Sequence, residues 1–504
     1  MEAPSLQWML IDGFSCAICL YVFKEKWLTS SKPPYPPGPT DQSWFTGNLS
    51  DFPVEAIWLK FTEWADEFGD IVHLRVLDKH SIIVNSLDVA KELFEKRSNI
   101  YSSRPPSAMV DLMGGEFITP LKTYGDDWRL ERRMFQQFFK PDVLQQYQDV
   151  QTRKINDLLS KLLVTPDDFL DHIRYSIGAV IMSIMYDHEV ASQDDRFIKV
   201  AETANQKFAI GSTPSVFLVN VFPILRFVPA WFPGAGFKLF AREASLLAQQ
   251  MLNDPIDMVR ERMKSGEGLP CVASELLEMY HTERDLKNVL SMCGSGYSAG
   301  TDTSVSVIQT FFYAMIRFGD VQVKAHEEID KVLGGDRLPK FEDRAALPYI
   351  EALLRELLRW HPILPVGIMH YTTEEDIFQG YFIPKGTTFF PNVWAMSREP
   401  NKYEDPNTFN PSRFLDNNGS LNDDDVGYAF GFGRRICPGC YFASATVWLA
   451  VVSILASFEI RKKKDASGQE LPVDVHFSTD SILSHPSHFN ARLYLVQRAL
   501  KTSS

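Results

Sequence analysis

The chain has 504 residues, of which 45% are hydrophobic, 12% aromatic and 23% charged. These are globular proportions, and they exclude a disordered, collagen-like or coiled-coil protein. The mean hydropathy of −0.14 excludes a polytopic transporter. The formal net charge of −13 excludes a general nucleic-acid binder, because neutralising phosphates needs a basic surface. Six cysteines are too few for a disulfide framework and favour a reducing compartment.

An apolar stretch at residues 6–23 is followed by Lys24, Lys26 and Lys32. As a helix it would be roughly 27 Å long, against about 30 Å for a hydrocarbon core. A signal anchor, a cleaved signal peptide and an interfacial or buried helix are all open interpretations. The missing cleavage motif and the positive charges after the stretch favour a membrane anchor over residues 1–30, with the body of the protein in the cytosol. The proline-rich residues 31–45 are predicted to be an extended, stiff hinge.

Hydrophobic patterning predicts the elements that follow. Residues 71–85 are typical of a β-hairpin with a polar turn at 78–80, and residues 88–97 of a helix. Residues 143–317 are predicted to be mainly helical, with breaks at 165–168 and 264–270. The apolar residues 221–237 contain three prolines and predict neither helix nor strand. That segment is either a buried loop or one that contacts a membrane surface or covers an apolar pocket. Strands and turns are expected from residue 380, and a solvated loop at 416–425.

The decapeptide FGFGRRICPG, residues 430–439, places Cys437 in a glycine-rich loop beside arginine. Glycines let backbone N–H groups approach the sulfur, and a nearby cation favours the thiolate, which suits a soft metal ligand. Cys437 and Cys440 also form a CxxC, so a zinc or thiol–disulfide centre is an alternative. No second CxxC or close His pair accompanies it in the sequence. Cys440 is therefore expected to be a core residue at the start of the apolar helix that follows.

This decapeptide matches in full the Phe-x-x-Gly-x-Arg-x-Cys-x-Gly haem-loop signature of the cytochrome P450 family, which the chain resembles from about Pro33 onward. The resemblance implies a mainly α-helical fold with small β-sheets, in one large domain over residues 46–504. It implies a haem b cofactor with Cys437 as the iron ligand. Phe430 and Gly439 belong to the same cofactor-binding loop.

A second motif is Glu356-x-x-Arg359, whose two side chains share a helix face. The resemblance implies that they form a buried structural network with Arg413 of the segment FNPSRF. Ser412 stands where the family often has glutamate.

The third motif is Ala299-Gly-Thr-Asp-Thr-Ser304. Glycine, serine and threonine are poor helix formers, so a local distortion of the helix is expected. The resemblance implies that Gly300 admits dioxygen and that Asp302 and Thr303 are the catalytic pair that supplies protons to it. A serine-rich helix packed on another helix is the alternative.

Haem propionates need cations or strong donors. The resemblance assigns this role to Trp128 and Arg132 of the segment WRLER, to His370 and to Arg435. A fourth basic residue is not visible in residues 114–122. Lys122, Arg129 and Arg133 could instead face outward as a basic patch for an acidic reductase domain.

The implied function is a haem-thiolate monooxygenase that takes electrons from NADPH through a separate cytochrome P450 reductase and inserts one atom of O2 into a small molecule. The resemblance is greatest to fungal secondary-metabolite oxygenases. It implies a single-pass protein of the endoplasmic reticulum with membrane lipid as a further partner. An isomerase or dehydratase that needs no reductase, and a non-catalytic haem carrier or sensor, are the alternatives. The segments expected to line the pocket contain few charges, which suits an apolar substrate such as a terpenoid or polycyclic. These segments are residues 108–121, 208–237, 292–303, 364–369 and 479–483.

Overall fold

The computed structural model describes residues 32–40, 43–190, 194–213, 216–335, 337–479 and 481–496. The predicted anchor helix over residues 6–23 lies outside these described residues.

The described chain is mainly helical, as predicted. Its sixteen α-helices, counted over the described residues alone, are α1 (Ile57–Phe68), α2 (Leu87–Lys91), α3 (Ser98–Tyr101), α4 (Ala108–Leu112), α5 (Asp126–Phe139), α6 (Gln148–Val164), α7 (Phe169–Tyr186), α8 (Arg196–Ser212), α9 (Leu218–Val221), α10 (Gly236–Ser265), α11 (Val272–Met279), α12 (Glu283–Arg317), α13 (Gly319–Leu333), α14 (Pro348–Trp360), α15 (Val393–Met396) and α16 (Cys440–Ser457). Short 3₁₀ turns join many of them, including Pro141–Tyr147 and Pro166–Asp168.

The strands form small sheets. They are β1 (Ile71–Val76), β2 (Lys79–Val84), β3 (His370–Tyr371), β4 (Asp376–Phe378), β5 (Tyr381–Ile383), β6 (Thr388–Pro391), β7 (Phe458–Arg461) and β8 (Arg492–Leu495). The largest described sheet has the order β1-β2-β6-β3, in which β2 and β6 are parallel and the other two pairs antiparallel. The pairs β4–β5 and β7–β8 stand apart from it.

The predicted hairpin is confirmed, with Ile71 opposite Val84. Its turn is one residue earlier than predicted, since Leu77 takes φ +57° and Lys79 already belongs to β2. The helical breaks at 165–168 and 264–270 are confirmed, the second by Gly266 at φ +73° after the end of α10. Residues 88–97 are helical through α2 and then widen into a π-helical turn at Glu92–Lys96.

The core is built around α12 and α16. Phe311 and Phe312 of α12 and Trp448 of α16 are fully buried in one large apolar cluster. By length and composition α16 could cross a membrane, but it is 72% buried inside the protein. Within the described residues it therefore serves as a core helix. Cys440 begins this helix, as predicted.

The expected distortion of α12 at residues 299–304 is wrong, since the helix runs unbroken from Glu283 to Arg317. Its glycines serve close packing instead. A Cβ on Gly294 would lie 2.2 Å from the Leu252 side chain, and one on Gly300 would lie 3.2 Å from Ile181. The Thr303 hydroxyl donates to the Ala299 carbonyl at 2.7 Å, within its own helix.

The proline-rich residues 33–40 are extended and packed against the sheets. The Pro34 carbonyl accepts from the Phe382 N–H and the Pro37 carbonyl from the His73 N–H, each at 2.8 Å. A Cβ on Gly38 would lie only 2.0 Å from the His73 carbonyl oxygen, so this contact requires glycine. This part of the predicted hinge is thus attached to the domain.

Candidate active site

One cavity lies between α5, α12, the Cys437 loop and the segment before β3. It is lined by every residue that the sequence assigned to cofactor binding or proton supply: Trp128, Arg132, Gly300, Asp302, Thr303, His370, Phe430, Arg435, Cys437 and Gly439. The remaining three predicted residues, Glu356, Arg359 and Arg413, form a separate network. The structure thus sorts the predicted residues into two groups.

The Cys437 loop is shaped by its glycines. Gly433 adopts φ +50°, and a Cβ there would lie 2.4 Å from the Phe94 carbonyl oxygen, so no other residue fits without a shift of backbone. The Cys437 N–H donates to the Phe430 carbonyl at 2.8 Å. The backbone N–H of Gly439 acts on the Cys437 sulfur and favours its thiolate, as predicted for such a loop.

Burial raises the pKa of the Cys437 thiol to about 11, and the Gly439 N–H and the Arg132 charge only partly oppose it. The charge of Arg132 therefore favours the thiolate, as predicted for a nearby cation, but in the protein alone burial outweighs it. A coordinated metal deprotonates a thiol outright, so the thiolate depends on the metal. Within the described residues, no group of three or more His, Cys, Asp or Glu is placed to hold a metal ion.

Arg435 is 8% exposed and stacks on Trp128, with its guanidinium carbon 4.3 Å from the ring centroid. Its Nε donates to the Ser102 carbonyl at 2.6 Å and one terminal nitrogen to the Lys122 carbonyl at 2.7 Å. The other terminal nitrogen is buried without a partner. Burial lowers the pKa of Arg435 to about 9.

His370 and Arg132 line the same cavity. Nδ1 of His370 lies 2.8 Å from the Tyr101 carbonyl, and its ring stacks on Phe94. Burial holds the pKa of His370 well below its usual range and lowers that of Arg132.

Arg104 is a functional candidate that the sequence did not indicate. It is 4% exposed, lines the cavity, and donates to the carbonyls of Pro120, Ile368 and Met369 at 2.8, 2.9 and 2.7 Å. Its charge and that of Arg435 repel each other, and burial lowers the pKa of Arg104 well below its usual range. Arg104 is thus a fourth basic residue at the cavity, beside Arg132, His370 and Arg435, and it comes from a segment before residues 114–122.

We call the three arginines Arg104, Arg132 and Arg435, together with the imidazole of His370 beside them, the cationic cluster. In the described part of the chain, no carboxylate forms an ion pair with any of its members. Buried charges are costly unless paired, so the cluster is incomplete without an anion supplied from outside the chain.

Lys122 does not face outward, which corrects the prediction. Its ammonium contacts the carboxylate of Glu131, a fully buried residue that also accepts from the Thr119 hydroxyl at 2.8 Å. Glu131 follows Trp128 by three residues and so lies on the buried face of α5. Arg129 and Arg133 are exposed, as predicted.

Asp302 and Thr303 are partly exposed on α12, and both border the cavity. Oδ1 of Asp302 lies 3.5 Å from Nε2 of His485, a contact that the sequence did not indicate.

The Glu356 network is confirmed as a buried arrangement. Arg359 binds Glu356 through two nitrogens at 2.6 and 2.8 Å, and both side chains are fully buried. Arg413 reaches the same carboxylate at 3.3 Å, and the Asn410 N–H donates to it at 2.7 Å.

The predicted pocket segments contribute unequally. Among the described residues of 208–237, only Phe208, Ala209 and Ser212 line the cavity, and from 108–121 only residues 118–121 do so. The segment 221–237 itself is largely exposed, with Trp231 at 82% and Phe227 at 75%. The interpretation of this segment as a buried loop is therefore wrong.

The family model described as Cytochrome P450 matches residues 36–486. The chain belongs to the cytochrome P450 family. A cytochrome P450 monooxygenase of Armillaria gallica is 38% identical, over 91% of this chain and 90% of its own. Another from Coprinopsis cinerea is 38% identical, over 93% and 90%. The tryptamine 4-monooxygenase of Psilocybe cyanescens is 35% identical, over 98% and 99%. The protein is therefore an enzyme, a cytochrome P450 monooxygenase, and these three relatives are fungal.

Cytochromes P450 carry a haem whose iron is bound by a cysteine thiolate. The cavity fits that group. The unpartnered Arg435 nitrogen and the cationic cluster suit two propionates, and Cys437 lines the same cavity.

Proposed function

We propose that this P450 inserts one oxygen atom of O2 into an apolar small molecule, with electrons from NADPH delivered by a separate flavoprotein reductase. The observation that carries the proposal is that Asp302 and Thr303 border the same cavity as Cys437. An acid and an alcohol at that place can hold and transfer protons to bound oxygen.

The roles follow from position. Bound haem supplies the activation of O2, favoured by its thiolate ligand. Cys437 coordinates the iron, and the cationic cluster with the Trp128 indole holds the propionates. Thr303 holds a proton at Oγ1, and Asp302 delivers it from its carboxylate.

The CO-difference spectrum of the reduced protein tests the ligand. Cys437→Ser is expected to abolish the thiolate-type Soret band together with turnover, and retained turnover would overturn the assignment.

Thr303→Ala and Asp302→Asn are expected to keep the band and the haem content. Product formed per NADPH should fall by roughly 10² or more in Asp302→Asn, with peroxide released instead. An isomerase would turn over without reductase, and a haem carrier would form no NADPH-dependent product.

The cavity wall supports an apolar substrate of the terpenoid or polycyclic class. Its lining includes the apolar residues Ile181, Ile184, Phe208, Leu364, Ile368 and Leu483. Spin-state spectral titration with terpenoids and polycyclics tests the class, with tryptamine, named for one relative, as a comparison. Tight binding of tryptamine alone would contradict the proposal.

Membrane lipid is the proposed partner of residues 1–30 and of an exposed apolar face. Ile224, Phe227 and Trp231 on this face are 71, 75 and 82% exposed, and such a patch marks an interaction site. Deleting residues 1–30 should weaken membrane association and leave haem binding intact. In that truncated protein, Phe227→Ser with Trp231→Ser should further reduce flotation with phospholipid vesicles. Unchanged flotation in both steps would exclude these contacts.

The sequence contains two N-glycosylation sequons, Asn48-Leu-Ser and Asn418-Gly-Ser. They test the proposed cytosolic orientation, because a cytosolic domain should leave both unmodified. Asn48 is 1% exposed and its amide donates to the Pro39 and Thr40 carbonyls, so the folded protein shields it. Asn418 is exposed and serves as the reporter. The full chain in microsomes should show no endoglycosidase-sensitive form. The positive control is the catalytic domain fused behind a cleavable secretion signal, which should be glycosylated. In that control, Asn418→Gln should remove the glycosylation.

The reductase is proposed to dock beside the Cys437 loop. Arg434 donates to the Tyr124 hydroxyl at 3.0 Å, and Arg129 lies over the same ring, so two exposed cations meet there. Arg129→Glu with Arg434→Glu should raise the reductase concentration needed for half-maximal turnover. The exposed Arg242 on α10, substituted Arg242→Glu, is the matched control.

A further inference from the structure

His485 stands on the outer side of Asp302. Its Nε2 lies 3.5 Å from Oδ1 of Asp302, and about a quarter of each side chain is exposed, 26 and 27%. Asp302 borders the cavity, whereas His485 is absent from its described lining. The imidazole therefore reaches solvent on one side and the carboxylate on the other.

The backbone holds His485 in place independently of this ion pair. Its N–H donates to the Ser478 hydroxyl at 2.9 Å, and its carbonyl accepts from the Ser478 N–H at 2.8 Å. One turn beyond Asp302, the Ser306 hydroxyl donates to the carbonyl of the neighbouring Ser484 at 2.9 Å. The segment that carries His485 is thus fastened to α12 itself.

Other charges near Asp302 come from α7 and α8. Burial raises the pKa of Glu202 on α8, and the Asp302 charge adds to that effect. Glu202 in turn lies 3.7 Å from Arg174 on α7. Within the described residues, no lysine or arginine forms an ion pair with Asp302.

The contact is long for a hydrogen bond, which prefers 2.7–3.2 Å, so it holds Asp302 nearby without locking it. Histidine is the side chain that gains and loses a proton around neutral pH. An arginine in its place would keep its proton throughout.

We propose that His485 passes protons from solvent to Asp302, an inference that rests on the proposed function. The Nε2 proton of the imidazolium moves to Oδ1 of Asp302, which leaves a neutral imidazole and a neutral carboxylic acid. Asp302 then gives this proton up toward Thr303, and the ring takes the next one from water. Because His485 acts through Asp302, it is a positioning residue.

The test uses the full chain with haem and reductase and compares His485→Gln, His485→Arg and Asp302→Asn. The control is His488→Gln, an exposed histidine three residues along the same segment. All variants are expected to keep the thiolate-type CO band and the spectral affinity for substrate, which report folding without turnover. Product per NADPH should fall about tenfold in both His485 variants, less than the roughly 10² of a direct general acid. Peroxide and the solvent isotope effect on product formation should rise, and the control should match the wild type.

Full coupling in His485→Arg would overturn the inference, because a fixed charge would then be sufficient. Full coupling in both His485 variants, with loss in Asp302→Asn, would overturn this inference alone. Unchanged coupling in Asp302→Asn would overturn the proposed proton role of Asp302 and the inference together.

Discussion

The Glu356 network and the cationic cluster are two groups of buried charged residues, and they differ in where their counter-charges come from. In the Glu356 network, the carboxylate receives Arg359 and Arg413, and the remaining nitrogen of Arg359 donates to both the Ser397 and the Pro406 carbonyls at 2.9 Å. In the cationic cluster, Arg104 and Arg435 donate to backbone carbonyls, but no carboxylate of the described chain forms an ion pair with any member. The first group is complete within the protein, and the second requires an anion.

This difference separates folding from cofactor binding. A fully paired buried network stabilises the fold before any cofactor arrives, and breaking it leaves a charge without compensation. The cationic cluster instead costs stability in the empty protein, because burial opposes its charged forms. This loss of stability is recovered when the cluster binds the carboxylates of the haem propionates. Removal of one residue should therefore have opposite consequences in the two groups.

The largest effect is expected for Glu356→Gln. The amide keeps the shape but leaves Arg359 buried without a counter-charge, which costs about 3–5 kcal/mol of the free energy of unfolding. Thermal unfolding and the yield of folded protein, with and without haem, measure it. Glu351→Gln on the same helix is the matched control, since its pair with Arg344 is 21–28% exposed and contributes under about 1 kcal/mol. Equal losses in the two variants would show that the network has no special role.

A smaller effect, confined to the loaded protein, is expected for Arg435→Gln. Charge-assisted hydrogen bonds contribute about 1.5–3 kcal/mol, so haem release to an acceptor globin should be roughly 10- to 100-fold faster. The unfolding of the empty protein should be unchanged or slightly harder, because a buried charge is gone. Arg434→Gln, at the exposed neighbouring position, should retain haem like the wild type. Destabilisation of the empty protein by Arg435→Gln would place this residue with the structural network.

Local patterns predicted the parts of the site that one segment builds alone. The loop around Cys437 needs ten consecutive residues, and the β1–β2 hairpin needs an alternation of side chains, so both are visible in the sequence. The pairing of Glu356 with Arg359 follows from helix geometry.

Contacts between distant segments could not be predicted in this way. Arg104 binds carbonyls 264 and 265 residues away, and nothing in YSSRPP shows that they converge. The contact of His485 with Asp302 likewise depends on how a late segment folds back on α12. The composition of α12 suggested a distortion, whereas close packing of Gly294 and Gly300 keeps the helix regular. Glu131 was not predicted either, although its spacing of three residues from Trp128 could have placed it on the buried face of α5.

The smallest effect concerns Lys122, which makes both kinds of contact: its side chain forms an ion pair with Glu131, while its carbonyl accepts from Arg435 of the cationic cluster. Burial raises the pKa of Glu131 despite this ion pair. An acid whose pKa is raised by folding stabilises the fold below its unfolded pKa, and that contribution is lost as pH rises through the folded value. Lys122→Gln removes the compensating charge, so the loss of unfolding free energy should be about 1–2 kcal/mol at pH 8 and smaller at pH 5.5.

Urea unfolding of the empty protein at these two pH values measures the Lys122→Gln effect. Lys287→Gln, which breaks an exposed pair with Glu116, should show under about 1 kcal/mol and no such trend. The double variant Lys122→Gln with Glu131→Gln should recover most of the loss, because no buried charge then remains. If Lys122→Gln instead leaves the empty protein unchanged and speeds haem release, Lys122 belongs with the cationic cluster. The pH trend therefore decides whether this lysine completes the fold or the cofactor site.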